Sequence, residues 1–297
     1  MNSKMLTSGL LALSCGLFSL NASAAIITLE SDYVRAVITD LGVLSSLRYD
    51  PTQSGTFNPN TDYISPGTPF EGFGVRVGTS SSLMNSNSGG MQISGVTSSS
   101  AAATHAAVWN GGNSLYSIEH LFFFNNGEQR VNIRTTITAL IDLTNVRISR
   151  AVDPDPDVGT HGTFDTNNQR GIAPTVPMED FVGSVGAVSG LPLGLFYSGP
   201  ITHNTGIVTS CCNVTDPDVY LAGGNAGNNT TADHGIGIGF NLGDLMAGQS
   251  TTWTYAYVMG GSLRTIDIPT DPNPIPVPAS IMLMLAGMAG LVRYRRK

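Results

Sequence analysis

Two segments of this chain alternate with a strict period of two, and no other feature limits its fold as much. From Arg130 to Ile141, Val131, Ile133, Thr135, Ile137, Ala139 and Ile141 fall on one face, and Asn132, Arg134, Thr136 and Thr138 on the other. From Thr251 to Gly260, Trp253, Tyr255, Tyr257 and Met259 alternate with Thr252, Thr254, Ala256 and Val258. Successive side chains of a strand point to opposite faces, so each segment reads as a strand with one buried and one wet face, as antiparallel sheets have. Shorter β-branched or aromatic runs lie at Ile26–Glu30, Tyr33–Thr39, Phe73–Val77, Ala106–Trp109, Leu115–Phe124, Val146–Ser149 and Gly235–Phe240, separated by clusters of Gly, Asn, Ser, Thr, Asp and Pro. No stretch of the body sustains a helical period, and Leu242–Met246 could form a turn or two. The expectation is an all-β chain: a large antiparallel β-sandwich with long loops over residues 25–267. Gly78–Ser100, rich in Ser, Gly and Asn, is expected to be a long mobile loop.

Charge excludes one class of partner. Between Glu30 and Asp271 lie all 21 carboxylates but only 9 arginines and no lysine, a net charge of −12. Such a body repels phosphate backbones, so nucleic acid is not an expected partner, whereas divalent cations would be attracted. The remaining cations are Lys4 at one end and Arg293, Arg295, Arg296 and Lys297 at the other.

Both ends read as addresses. Lys4, the apolar run Met5–Leu20 and the small residues Ala22-Ser23-Ala24 form a secretory signal peptide over residues 1–24, with cleavage before Ala25. At the other end, residues 268–278 carry prolines at 269, 272, 274, 276 and 278, which disfavour helix and predict an extended linker. Residues 279–292 then contain no charge, and residues 293–297 are basic. Fourteen helical residues span about 21 Å, short of the roughly 30 Å hydrocarbon core, so hydropathy alone gives a marginal, short C-terminal transmembrane helix. The basic end would stay cytoplasmic.

This order of parts resembles the PEP-CTERM sorting signal. The motif is Pro276-Val277-Pro278-Ala279-Ser280, followed by the apolar stretch and the basic cluster, with Val277 where the family has glutamate. The resemblance covers residues 276–297. It implies export by a Gram-negative bacterium, transient anchoring in the inner membrane, recognition by an exosortase-type membrane protease or transpeptidase, and delivery to the cell surface or an exopolysaccharide matrix, as in a biofilm. It does not say what the body does.

Within the body, Asp153-Pro154-Asp155-Pro156-Asp157 is followed by Gly159, His161 and Asp165. Carboxylates at alternate positions stiffened by proline can direct several oxygens at one hard cation, so Asp153, Asp155, Asp157 and Asp165 are candidate calcium ligands; an acidic surface turn is the simpler reading. The pattern partly returns at Asp216-Pro217-Asp218. Cys211 and Cys212 are adjacent, and the sequence leaves open two thiols, a bridge to another chain or a vicinal disulfide. Five scattered histidines show no metal spacing, and no nucleophile elbow, P-loop or dinucleotide pattern occurs. No catalytic residue is assigned. Trp109, Trp253, Tyr255 and Tyr257 could stack on sugar rings as a carbohydrate-binding module would, or could be core. Glu71, in the aromatic loop Pro69–Gly74, could face a sugar.

The opening Ile27–Tyr49, two strands with Leu41-Gly42-Val43-Leu44-Ser45-Ser46-Leu47, resembles the start of the galactose-mutarotase type of sugar-handling β-sandwich. That resemblance implies a large sandwich and brings no matched catalytic residue. The expected function is therefore that of a non-catalytic surface or matrix protein, with carbohydrate binding, or less favoured sugar-directed catalysis, as alternatives.

Overall fold

The computed structural model describes residues 26–100, 105–212 and 214–271. Its first strands are β1 (Ile27–Glu30), β2 (Val34–Ile38), β3 (Leu44–Tyr49), β4 (Glu71–Val77), β5 (Leu83–Ser86) and β6 (Gly90–Met91). There follow β7 (Ser94–Ser99), β8 (Ala106–Gly112), β9 (Tyr116–Phe123), β10 (Arg130–Ala139), β11 (Leu143–Val152) and β12 (Thr166–Arg170). The last are β13 (Phe181–Gly186), β14 (Pro192–Phe196), β15 (Thr202–Val208), β16 (Thr230–Ala232), β17 (Gly235–Leu245) and β18 (Ser250–Met259). Two short α-helices, α1 (Val158–His161) and α2 (Pro217–Leu221), and a 3-10 turn at Pro59–Thr61 lie in connections among the described residues.

The strands form three antiparallel sheets. The largest has nine strands in the order β16-β12-β13-β14-β18-β10-β9-β8-β7, the second six in the order β15-β17-β11-β4-β5-β6, and β1-β2-β3 form the third. The period-two segments become β18 and β10, neighbours at the middle of the nine-stranded sheet, with Ile133 opposite Tyr255 and Thr135 opposite Trp253. Their inward residues meet the six-stranded sheet, where Phe240 of β17 packs 5.4 Å from Trp253 and 5.3 Å from Tyr255. One core cluster runs through all three sheets.

Several expectations need correction. The inward row of β10 ends at Ala139; the chain turns there, the Leu140 amide donating to the Leu115 carbonyl, and Ile141 is exposed. Leu242–Met246 makes no helical turn, because β17 runs on to Leu245 past a bulge opposite β11 and Gly243 takes a φ of +72°. Residues 78–100 are not one loop but hold β5, β6 and β7. Buried Asn85 organises them: its Oδ1 accepts from the amides of Gln92 and Ile93, and its Nδ2 donates to the carbonyls of Leu41 and Ile93. Ala256 and Val258, on the nominally wet face of β18, are buried under Ile266, with Leu263 and Ile268 packed alongside. Ile268, assigned to the linker, therefore sits against the sandwich.

The centre of the molecule is ionic. Glu71 of β4 and Arg150 of β11 are both 0% exposed and form a two-pronged pair, Arg150 Nη2 lying 2.8 Å from Glu71 Oε2 and Nε also donating to Oε1. Glu71 also accepts from the Leu44 amide (2.6 Å) and the Tyr257 hydroxyl (2.7 Å), while Arg150 Nη1 donates to the Gly42 carbonyl (3.1 Å). The guanidinium lies 5.3 Å from the centre of the Phe122 ring and 5.8 Å from that of Phe73. Burial alone would lower the Arg150 pKa; the Glu71 carboxylate outweighs it and keeps the guanidinium charged. Gly42 is required beside it. At φ +74°, any Cβ there would meet the Trp109 ring at 2.5 Å.

Removing one member of a buried pair strands the other charge, which typically costs about 3–5 kcal/mol. Glu71→Gln should therefore destabilise the fold by about that much in urea titrations. The double variant Glu71→Gln/Arg150→Met, which retains an acceptor for Leu44 and Tyr257, should lose clearly less than the single one; equal or greater loss would contradict this account.

Candidate functional site

Two places combine exposed or unsatisfied polar groups with defined geometry. The first lies where β11 leaves the six-stranded sheet. The Asp153 amide donates to the Phe70 carbonyl and the Asp155 amide to the Tyr63 carbonyl, so this proline-stiffened segment is pinned by its backbone. Asp233 arrives from the two-residue link between β16, at the edge of the nine-stranded sheet, and β17 in the six-stranded one. One carboxylate oxygen from each of Asp153, Asp155 and Asp233 lies within 4.8 Å of the others. Burial, then the neighbouring carboxylates Asp155 and Asp233, pushes the Asp153 carboxyl up to about 8. Burial and then Asp233 raise Asp155 to about 7. Asp233 is also raised by burial, with adjacent His234 pulling it down and Asp165 pushing it up.

The other two acidic candidates are placed differently. Asp157 is buried, but its carboxylate accepts from the amides of Val188 and Ser189 and so holds the β13–β14 turn. Asp165 is exposed. The repeated Asp-Pro-Asp serves another purpose: Asp216 caps α2 through the Asp218 amide, and Asp218 pairs with Arg76 and Arg147. Cys211 and Cys212 are joined as a vicinal disulfide, with sulfur atoms within 4.8 Å of an Asp153 oxygen. Asp233 escaped sequence reasoning because it is 78 residues from Asp155 and carries no local pattern.

The four aromatic candidates for glycan stacking are all core. Trp109, Trp253, Tyr255 and Tyr257 are at most 4% exposed, so none presents a ring face to a sugar. The burial of Trp253, Tyr255 and Tyr257 follows from the period-two pattern itself, which turns the larger side of β18 inward, while Trp109 of β8 is held by its Nε1 donating to the Asp40 carbonyl (2.8 Å). Glu71 faces Arg150, not solvent. His120 is equally enclosed, stacked on Trp109 at 5.4 Å with Nδ1 2.8 Å from Thr135 Oγ1, and burial lowers its pKa well below the ordinary histidine value.

The second place is an open groove of about 720 Å³. One wall is the β12–β13 connection, where Ile172 and Val176 form a bridge around Pro174. The other walls come from Asn228 and Asn229 before β16 and from Leu263 and Arg264 after β18. Asn228 Oδ1 accepts from the Arg170 amide, which leaves its NH2 group free to donate outward. Exposed Arg264 and the Asn229 side chain have no hydrogen-bond partner among the described residues. Ile172, Pro174, Val176, Met178 and Leu263 supply apolar surface, and no Asp or Glu is among the described lining residues.

The sorting residues Pro276, Val277, Pro278 and Ala279, the basic residues Arg293, Arg295, Arg296 and Lys297, and the signal peptide all lie outside the described residues. Among the described residues no helix is long and apolar enough to cross a membrane.

No protein-family model matches this chain, and no curated protein matches it. Among solved structures, a bacterial glucoamylase in complex with acarbose is similar over 82% of this chain and 33% of its own, at 12% identity and a TM-score of 0.51. This chain thus spans about a third of that protein. A galactose mutarotase-like protein from Lactobacillus casei is similar over 79% of this chain and all of its own, at 12% identity and a TM-score of 0.42. A galactose mutarotase related enzyme from Lactobacillus acidophilus is similar over 82% of this chain and all of its own, at 8% identity and a TM-score of 0.44. The glucoamylase similarity shows a shared all-β, large-sheet fold, and at this identity it shows the fold alone.

Proposed function

We propose that this protein is an exported, non-catalytic polysaccharide-binding protein of the cell surface or extracellular matrix. The observation that carries the reading is the groove walled by the β12–β13 connection, Asn228–Asn229 and Leu263–Arg264. A pyranose ring has an apolar C–H face and a hydroxyl edge. This groove pairs an apolar strip with amide and guanidinium donors, the composition expected of a small-molecule or oligomer site. Glycosidic cleavage ordinarily uses two carboxyl groups flanking the bond, and the described lining supplies none, so retention of a glycan suits the groove better than its hydrolysis. The terminal sequences support export, passage through the inner membrane on a temporary C-terminal anchor, and release by an exosortase-type enzyme into an exopolysaccharide layer. Neighbours acting on sugars are compatible with a carbohydrate association.

Co-sedimentation with the exopolysaccharide of the producing cell tests the binding. The wild-type chain should pellet with the polymer, and Arg264→Ala combined with Asn229→Ala should weaken this by about tenfold or more, equivalent to about 1.4 kcal/mol. Undiminished binding by the double variant would remove the groove from consideration, and release of reducing ends would replace binding by catalysis.

Mass spectrometry of protein released from cells tests the sorting. The mature form should begin near Ala25 and lack Arg293–Lys297; an intact basic tail would refute the sorting reading.

A further inference from the structure

The polysaccharide groove leaves unexplained the three clustered carboxylates at the other functional candidate. Buried acids in proteins are ordinarily hydrogen-bonded or paired with a cation. Asp155 is 2% exposed and Asp153 3%, yet neither they nor Asp233 forms an ion pair with any described residue. Asp155 Oδ1 and Asp233 Oδ1 are buried without a hydrogen-bond partner. The Cys212 sulfur lies 3.7 Å from Asp153 Oδ2, but a disulfide sulfur has no proton to donate. The side chain of Asp155 is thus buried, unpartnered and aimed at two other carboxylates. Three carboxylates converging without a donor repel one another when ionised, unless something positive sits between them.

We propose that Asp153, Asp155 and Asp233 hold one divalent cation of calcium size. Calcium takes oxygen ligands at 2.3–2.6 Å, so two ligands of one ion stand no more than about 5 Å apart, and the 4.8 Å limit among the three carboxylate oxygens agrees with that. All three ligands are hard oxygens, and the disulfide sulfurs offer no thiolate, which disfavours zinc or copper. The remaining positions would be filled by second carboxylate oxygens and water. Magnesium, with its stricter octahedron and reluctant dehydration, suits three pinned carboxylates less well. Asp153 and Asp155 follow β11 of the six-stranded sheet, and Asp233 directly follows β16 of the nine-stranded sheet. One ion would therefore tie the two layers together at this end. Asp157 and Asp165 are not ligands in this proposal, since Asp157 is occupied by the 188–189 amides.

The test is calorimetric and thermal titration of the purified full chain, stripped with EGTA, using calcium chloride alone at pH 7.5. One calcium should bind per chain at this site, the melting temperature should rise, and EGTA should reverse the rise, with magnesium much less effective. Asp155→Asn and Asp233→Asn should each weaken calcium binding by at least about tenfold, as loss of even a supporting partner does at metal sites. Each should also melt no lower than the wild type in EGTA, because removing one negative charge relieves the repulsion. Asp233→Asn sits in a surface link and decides the matter should Asp155→Asn fail to fold. No heat and no thermal shift at about 5 mM calcium, above the range of weak extracellular calcium modules, would overturn the proposal. So would variants that keep the wild-type response.

Discussion

The Glu71–Arg150 pair is the contact on which the rest of this sandwich depends. It joins β4 to β11 within the six-stranded sheet, reaches β18 of the nine-stranded sheet through the Tyr257 hydroxyl, and anchors the three-stranded sheet through the Leu44 amide and the Gly42 carbonyl. All three sheets thus converge on one carboxylate and one guanidinium. Burying both charges costs several kcal/mol per ion before any attraction is counted, and only near-complete hydrogen bonding offsets that cost. Here both Glu71 oxygens and three Arg150 nitrogens are engaged, and two phenyl rings cover the guanidinium.

This pair also explains how an acidic protein spends its few cations. Of the nine arginines in the body, Arg35, Arg48, Arg76, Arg130, Arg147 and Arg150 are each paired with a carboxylate, Arg170 is held by Asn204 and Thr205, and Arg134 and Arg264 form no ion pair with any described residue. Arg264 stands apart by lining an open groove with no described acid beside it. An exposed guanidinium with no carboxylate partner among the described residues, on a chain otherwise dominated by carboxylates, is a local attraction for hydroxyl- or carboxylate-bearing chains.

Much of the fold was legible in the chain because it is written in nearest-neighbour alternation. Val131 to Ala139 and Trp253 to Met259 announced the two central strands, and all seven shorter candidates became parts of strands. What remained hidden depended on side chains that act far along the sequence. Asn85 looked like one more residue of a polar loop, yet its amide closes a hairpin by bonding Leu41 and Ile93. Glu71 resembled a sugar-facing acid, since nothing local reveals Arg150 as its partner. The same limit applies to the candidate sites. Asp153 and Asp155 were visible as an acidic motif, whereas Asp233 joins them only through the crossing between sheets. The four aromatic residues suggested stacking platforms, but the pattern that makes β18 a strand also carries three of them inward.

The position of β18 has a mechanical meaning. The chain leaves the described sandwich from this strand, which is bonded along nine residue pairs to β10 and four to β14. Tension applied beyond residue 271 would first have to dislodge Ile266 and Ile268 from their seat over Val258 and Phe181. It would then load an interior strand in shear against two neighbours, where many hydrogen bonds must yield together. A domain held by its C-terminal end while a polymer tugs at its surface would resist along an interior seam, not peel from an edge.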